Sequence, residues 1–343
     1  MMQGKMLIAG SITALLLTIA GCALRSPTPD SVEPVRPLSA DEWAEIKEQI
    51  WTASALAQSE AESQARQAMQ AWMARVREKS EKEFVPWYSA YWTQQWIGFK
   101  TGWYEMGKEE DEPPVKDYLV EYLQERFNEL VLEPAAVEGS PQTITEQAAA
   151  HYILLLSEQL QCLPKMHAVP LLSLQKKLEW IPLIAPSGKP PSSAPLSLVM
   201  QQTDLAGTPA YDVLIGHADS VDSPENTTPN ETRLQRVAED TVARLVAELP
   251  VRAGGGSAAL VVGEALGLFI SAGVSVWSAI SHNQARPAIE SQLRVALDAG
   301  LEEIWQTLMD DPQQGVMFPV NHMNQQIELG LFPTDRPELV LPF

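Results

Sequence analysis

The stretch from Ser39 to Glu83 contains neither glycine nor proline, and it constrains the fold more than any other feature of the chain. It opens with Ser39 and Glu42 at the spacing of a capping box, which satisfies two amides at the start of a helix. Apolar or alanine residues then recur at steps of three, four or their multiples, at Trp43, Ile46, Ile50, Ala57, Ala61, Ala65, Ala68, Trp72 and Val76. The pattern predicts one helix of roughly 65 Å, running to about Glu83. Its middle, residues 53–71, has few large apolar side chains, so it must pack closely on a partner helix or remain a solvated rod.

Similar spacing elsewhere predicts a mainly α fold. Longer helices are expected over residues 86–106, 114–132, 143–163, 232–249 and 287–308, with a short one after Pro170. Pro86 and Pro287 each suit the first turn of a helix, and Asp310-Asp311-Pro312 ends the last one. The expected fold is a long-helix bundle with an irregular Pro-rich connector and a second helical-hairpin unit.

The proline distribution suggests how the chain is divided. A helical domain is expected over residues 39–184, and a second helical unit over residues 232–311. Seven prolines interrupt every helical pattern in the connector 185–231, where the apolar runs Leu196–Met200 and Tyr211–Ile215 could pair as a small hairpin. Residues 312–343 are expected to lie extended over the surface.

Residues 257–280 form the most apolar segment after the N-terminal run, with Glu264 as their single charged residue. Small residues recur there at every fourth position and would form a ridge on a helix: Ala259, Gly263, Gly267, Ser271, Ser275 and Ala279. Such a ridge lets another helix approach closely, and it resembles the glycine zippers of some bacterial envelope lipoproteins. Three interpretations remain open: a buried helix of a soluble bundle, a membrane-inserting helix, and a self-association face.

Aromatic residues are concentrated between Phe84 and Tyr104. The stripe Trp92, Trp96, Phe99 and Trp103 follows helical spacing and is most simply a core face. Trp87 and Tyr91 would point elsewhere on the same helix, so the aromatic arc is wider than one packing contact requires. An interaction surface comprising Trp87, Tyr91, Trp92, Trp96 and Trp103 is the alternative, at a lipid interface or against sugar rings.

The formal net charge of −20 limits the partners of this chain. It argues against nucleic acid, which requires clustered Lys and Arg, and it disfavours adsorption onto anionic lipid headgroups. The five histidines are scattered, and the sequence holds no metal-ligand spacing, phosphate-binding loop or nucleophile elbow. We therefore expect no enzyme activity, cofactor or metal. Cys162, flanked by Leu160 and Leu163, is expected to be a buried and inert thiol.

The N-terminus indicates export. Lys5 precedes an apolar run, Met6–Ile19, which has the length of a signal sequence and is too short to span a membrane. The run ends in Ile19-Ala20-Gly21-Cys22, which resembles the lipobox of bacterial lipoproteins. The resemblance implies cleavage of residues 1–21 and acylation of Cys22. With Ala23 rather than Asp after that cysteine, it further implies the outer membrane, with the domain facing the periplasm.

Residues 22–38 carry four prolines and few apolar side chains, which is typical of a semi-rigid tether. The sequence therefore predicts a lipid-anchored envelope protein that acts by interaction. Its partners would be the membrane through the acyl chains, an unidentified envelope protein, or further copies of the chain. The alternatives are a membrane-active protein that inserts and oligomerises through residues 257–280, and an enzyme of unrecognised type.

Overall fold

The computed structural model describes residues 36–90, 115–185, 193–201, 205–217, 229–248, 279–312 and 315–333. The prediction of a mainly α fold is confirmed. The longer helices are α1 (Ala40–Lys79), α3 (Val115–Phe127), α5 (Pro141–Met166), α9 (Pro229–Glu248), α10 (Ala279–Asp310) and α11 (Phe318–Leu331). The shorter helices are α2 (Val85–Ser89), α4 (Glu133–Ala136), α6 (Leu171–Leu178), α7 (Ser197–Met200) and α8 (Pro209–His217).

The first helix begins as its sequence predicts. The Ser39 hydroxyl accepts a hydrogen bond from the Glu42 amide at 3.2 Å, and the Glu42 carboxylate accepts one from the Ser39 amide at 2.8 Å. The helix ends at Lys79 rather than near Glu83, and a π-helical turn, Ser80–Phe84, joins it directly to α2. Pro86 does lie in the first turn of α2, but this helix ends at Ser89 and Ala90 is extended, so the prediction of one helix over residues 86–106 is wrong. The helical backbone is continuous from Ala40 to Ser89.

The alanine-rich middle of α1 packs on a partner helix, so it is not a solvated rod. Ala53, Ala57, Ala61 and Ala65 are all buried, and α1 makes its largest interface with α5. The two helices are antiparallel, because Gln49 hydrogen-bonds to His167 beyond the end of α5 while Arg75 bonds to Gly139 before its start. The small alanines leave room for the larger side chains of α5, among them Tyr152 and Leu156, which are fully buried.

The next helices lie close to their predicted positions. A second π-helical turn, Asn128–Leu132, follows α3 and leads into α4. The Ser140 hydroxyl caps α5 by accepting a hydrogen bond from the Thr143 amide at 3.2 Å. Helix α6 confirms the short helix expected after Pro170. Helix α9 likewise confirms the amphipathic helix predicted over residues 232–249.

The predicted hairpin is wrong. Residues 197–200 form α7, and residues 209–217 form α8, with Pro209 as its first residue. The strands among the described residues are β1 (Pro182–Ile184) and β2 (Ala194–Pro195), which pair antiparallel. Short apolar runs fit a buried helical turn as well as a strand, and here the runs pack as helical turns, with α7 against α5 and α6.

Two predictions for the C-terminal part are also wrong. Helix α10 begins at Ala279, ahead of Pro287, which lies inside it and is exposed. Water can compensate the hydrogen bond that an exposed proline removes, so the helix continues through it. The end of α10 at Asp310 is confirmed.

The segment expected to be an extended tail contains α11. Its buried residues Val320, Met323, Ile327 and Leu331 recur at steps of three and four, and the helix packs on α1, α5 and β1. All buried apolar residues of the described ranges belong to one core cluster, to which α9, α10 and α11 contribute alongside α1 and α5.

Candidate functional site

Most of the residues singled out from the sequence lie outside the described part of the chain. Cys22 precedes it. Of the small-residue ridge, Ala259, Gly263, Gly267, Ser271 and Ser275 also lie outside, and Ala279 is the first residue of α10. Of the aromatic set, Tyr91, Trp92, Trp96 and Trp103 lie outside, and Trp87 belongs to α2.

Trp87 packs into an aromatic cluster between α2 and α3. Its ring centroid lies 5.5 Å from that of Phe84 and 6.2 Å from that of Tyr122. Phe84 in turn makes an edge-to-face contact with Phe127 at 5.2 Å. Phe84 and Phe127 are fully buried, and Trp87 is half-buried. These contacts favour a packing role for Trp87 over a place on an interaction surface.

A polar network ties α2 and its preceding π-helical turn to α10. The Ser89 hydroxyl donates a hydrogen bond to the Glu290 carboxylate at 3.0 Å. Arg294 on α10 donates to the Glu81 carboxylate at 2.8 Å. Hydrogen bonds from Arg286 and then Ser89 lower the pKa of Glu290 below its ordinary value.

The described residues contain a groove that sequence reasoning missed. It has a volume of about 600 Å³ and lies between α9 on one side and α3, α4 and the π-helical turn that joins α3 to α4 on the other. Its lining residues are Glu121, Gln124, Glu125, Asn128, Glu133, Ala136, Val137, Leu234, Gln235 and Ala238.

The groove combines an apolar floor with an acidic rim. Leu234 and Ala238 on α9 are buried and form the floor. Val137 stands at the edge with 83% of its surface exposed. Glu121 and Glu125 are one helical turn apart on α3, so their carboxylates share one face, and no Lys or Arg is among the ten lining residues.

Asn128, the first residue of the π-helical turn, hydrogen-bonds to one of the groove carboxylates. Its side-chain nitrogen donates a hydrogen bond to the Glu133 carboxylate at 2.8 Å, which orients that carboxylate at the edge of the groove. Its side-chain oxygen is buried and has no hydrogen-bond partner among the described residues. The signal available in the sequence was the spacing of glutamates at residues 121, 125 and 129, of which the first two lie on α3 and the third in the π-helical turn that follows it.

The titratable groups of the groove are carboxylates. Glu121, Glu125 and Glu133 line it, and none of its ten lining residues is a His, Cys, Ser, Lys or Tyr. Within the described ranges, no cluster of three or more His, Cys, Asp or Glu side chains could hold a metal ion. Cys162, expected to be buried, is half-buried on α5.

Two further observations concern the molecule as a whole. Among the helices of the described residues, none has both the length and the apolar character required to cross a bilayer. Comparison with protein-family models, with curated proteins and with solved structures finds no match to this chain.

Proposed function

We propose that this protein is anchored to the outer membrane through an acylated Cys22 and acts by binding a partner protein in the groove between α3 and α9. The anchor is supported by the sequence Ile19-Ala20-Gly21-Cys22 at the end of a signal-like apolar run. The binding role is supported by the geometry of the groove. The partner segment is basic and amphipathic.

One observation carries the binding role: two buried apolar side chains, Leu234 and Ala238, and three glutamates line the same groove, and no basic residue lines it with them. A peptide segment with Lys or Arg on one side and an apolar face on the other would match both features. The carboxylates would attract the basic side chains and raise the association rate, while Leu234 and Ala238 would bury the apolar face.

The test uses a photo-crosslinking residue at Val137 in intact cells, with the same residue at Leu56 on α1 as the control site. Leu56 is 63% exposed and does not line the groove. We expect a discrete adduct from position 137 and none of the same mass from position 56. An adduct of twice the mass of the chain would identify a second copy as the partner.

Charge dependence makes the test specific to the groove. The triple variant Glu121→Gln, Glu125→Gln and Glu133→Gln should abolish the adduct. The matched triple Glu48→Gln, Glu60→Gln and Glu302→Gln removes the same number of exposed carboxylates elsewhere and should leave it unchanged. Equal loss in both triples would show that only the overall negative charge matters, and the groove would then have no role.

The anchor is tested separately with Cys22→Ser. This variant should incorporate no labelled palmitate and should accumulate as an uncleaved precursor. Palmitate incorporation that persists in Cys22→Ser would rule out the proposed anchor.

A further inference from the structure

Exposed apolar side chains are concentrated where α5 turns into α6. Four of the eleven large apolar side chains that are exposed in the described residues lie between positions 166 and 180. They are Met166, Leu171, Leu172 and Trp180, and Trp180 has 86% of its surface exposed. We call the surface of residues 165–180 the α6 corner.

The backbone holds these side chains outward. Ala168 has a left-handed φ of 48°, and the Val169 amide bonds back to the Pro164 oxygen at 3.0 Å, which closes the end of α5. Helix α6 then packs inward through Ser173, Leu174 and Leu178. Since α6 already has this buried face, Leu171 and Leu172 on its other side contribute little to the core.

The α6 corner is basic, although the chain as a whole is strongly acidic. Lys165, Lys176 and Lys177 are exposed there, and Glu179 is the only acidic residue among positions 165–180. Tryptophan, leucine and lysine together are the composition of protein surfaces at a membrane interface. The rings and aliphatic chains reach the acyl boundary, and the ammonium groups stay among the headgroups.

One carboxylate at the start of α1 is paired within the fold. Arg36 binds Glu42 at 2.7 Å. This ion pair removes part of the negative charge that the start of α1 presents beside the corner.

The chain that leads to Cys22 departs from the same place. The Ser173 hydroxyl on α6 donates a hydrogen bond to the Arg36 backbone oxygen at 2.5 Å. Thirteen residues separate Arg36 from Cys22, so the tether reaches at most about 50 Å when fully extended. A lipid on Cys22 therefore keeps the α6 corner close to the leaflet that holds the lipid.

We infer that the α6 corner docks on the headgroup region of an anionic phospholipid leaflet, beside the acylated Cys22. This inference rests on the proposed lipid anchor and concerns a surface distinct from the groove. Docking fixes which end of α1 faces the membrane and points the other end of this long helix away from it.

The experiment uses the full acylated chain in vesicles of phosphatidylethanolamine and phosphatidylglycerol. A spin label is attached at Leu172→Cys in a Cys162→Ser background, with Leu56→Cys and Val295→Cys as exposed control sites. We expect the label at position 172 to collide several-fold less with a water-soluble nickel reagent, and several-fold more with oxygen, than either control label. The additional changes Lys176→Glu and Lys177→Glu should remove this difference.

The outcomes separate the docking from the anchor. Protein that floats with the vesicles, but whose label at position 172 behaves like the controls, overturns the docking and leaves the anchor in place. Protein that does not float overturns both. A label that stays exposed on vesicles and becomes immobilised in native outer-membrane fragments assigns the α6 corner to a protein partner and also overturns lipid docking.

Discussion

The guanidinium of Arg75 on α1 donates a hydrogen bond to the backbone oxygen of Gly139 at 3.1 Å, and a second bond of 3.1 Å reaches the oxygen of Ala135. Gly139 has a φ of 131°, which a side chain would strain. Arg75 thereby holds the turn between α4 and α5, from which Val137 projects at the edge of the groove.

We expect Arg75→Met to destabilise the protein by about 1–3 kcal/mol, because two carbonyl oxygens lose a charged donor while the apolar stem is kept. The stability of Arg75→Lys should lie between that of Arg75→Met and that of the parent, since one ammonium group cannot reproduce the two-point donor geometry of the guanidinium. Urea unfolding measures both changes. Equal stability of Arg75→Met and the parent would show that water replaces these bonds at no cost.

Gly330 on α11 packs closely against Ile181 and Pro182, where β1 begins. A Cβ there would lie 2.8 Å from Cγ2 of Ile181 and 3.1 Å from Cδ of Pro182. Overpacking costs about 1–3 kcal/mol, whereas the higher helix propensity of alanine contributes up to about 1 kcal/mol. We therefore expect Gly330→Ala to lower the melting temperature.

Gly216→Ala is the matched control for this substitution. Gly216 lies in α8, and a Cβ there would meet no atom within 4 Å. Only the helix propensity operates at this position, so the melting temperature should stay the same or rise. A fall of similar size in both variants would contradict close packing at Gly330.

The hydroxyl of Tyr152 on α5 is buried in the core and has no hydrogen-bond partner among the described residues. Burial raises the pKa of this phenol. Tyr152→Phe keeps the ring and removes the unsatisfied group, whose burial costs about 1–3 kcal/mol. We expect an equal or higher free energy of unfolding. A clear loss of stability would reveal that the hydroxyl has a partner.

Asp240 on α9 has a pKa above its ordinary value, first because of desolvation and then because of repulsion from Glu239 and Glu303. Its charged form therefore opposes folding at neutral pH, and this cost is relieved as the pH falls through the raised pKa. We expect Asp240→Asn to raise the melting temperature at pH 7, with the gain disappearing as the pH falls below 3.8, the ordinary value. Thermal unfolding across pH tests both parts.

The effect of Glu42 on stability should depend on pH in the opposite way to that of Asp240. Its hydrogen bonds, with Arg36 first and then with Ser39, lower its pKa from 4.5 to about 2. The stability that it contributes is fully present above pH 4.5 and is lost as the pH falls towards 2. Glu42→Gln should therefore lower the melting temperature at neutral pH and have no effect at the acid limit. The same sign of change in Glu42→Gln and Asp240→Asn at pH 7 would contradict these assignments.

The fold was largely predictable where local signals agree. The capping box, the steps between Ile46 and Val76 and the proline ahead of α6 act within a few residues of where they stand. They therefore operate in the same way whatever the rest of the chain does. Helix α11 carried the same kind of signal at Val320, Met323, Ile327 and Leu331, but its flanking prolines favoured an extended tail.

The candidate groove was not predictable, because its two walls are separated by about a hundred residues in the chain. Glu121 and Glu125 alone resemble an ordinary solvated helix face. They define a groove only because α9 packs beside α3 and places Leu234 and Ala238 beneath them. The α6 corner likewise depends on the contact between Ser173 and Arg36, 137 residues apart.

The sequence by itself determined the helical class of this protein and the start of α1, because these depend on residues that are neighbours in the chain. The export and lipidation signals also depend on neighbouring residues, and they stay predictions. Tertiary structure alone decided that the alanines of α1 face α5 and that an acidic groove opens beside α9. It also decided that the run Leu196–Met200 forms a helical turn rather than a strand of a hairpin. Such outcomes depend on which distant surfaces bury each other. That choice is made by the packing of the whole core, which local periodicity does not encode.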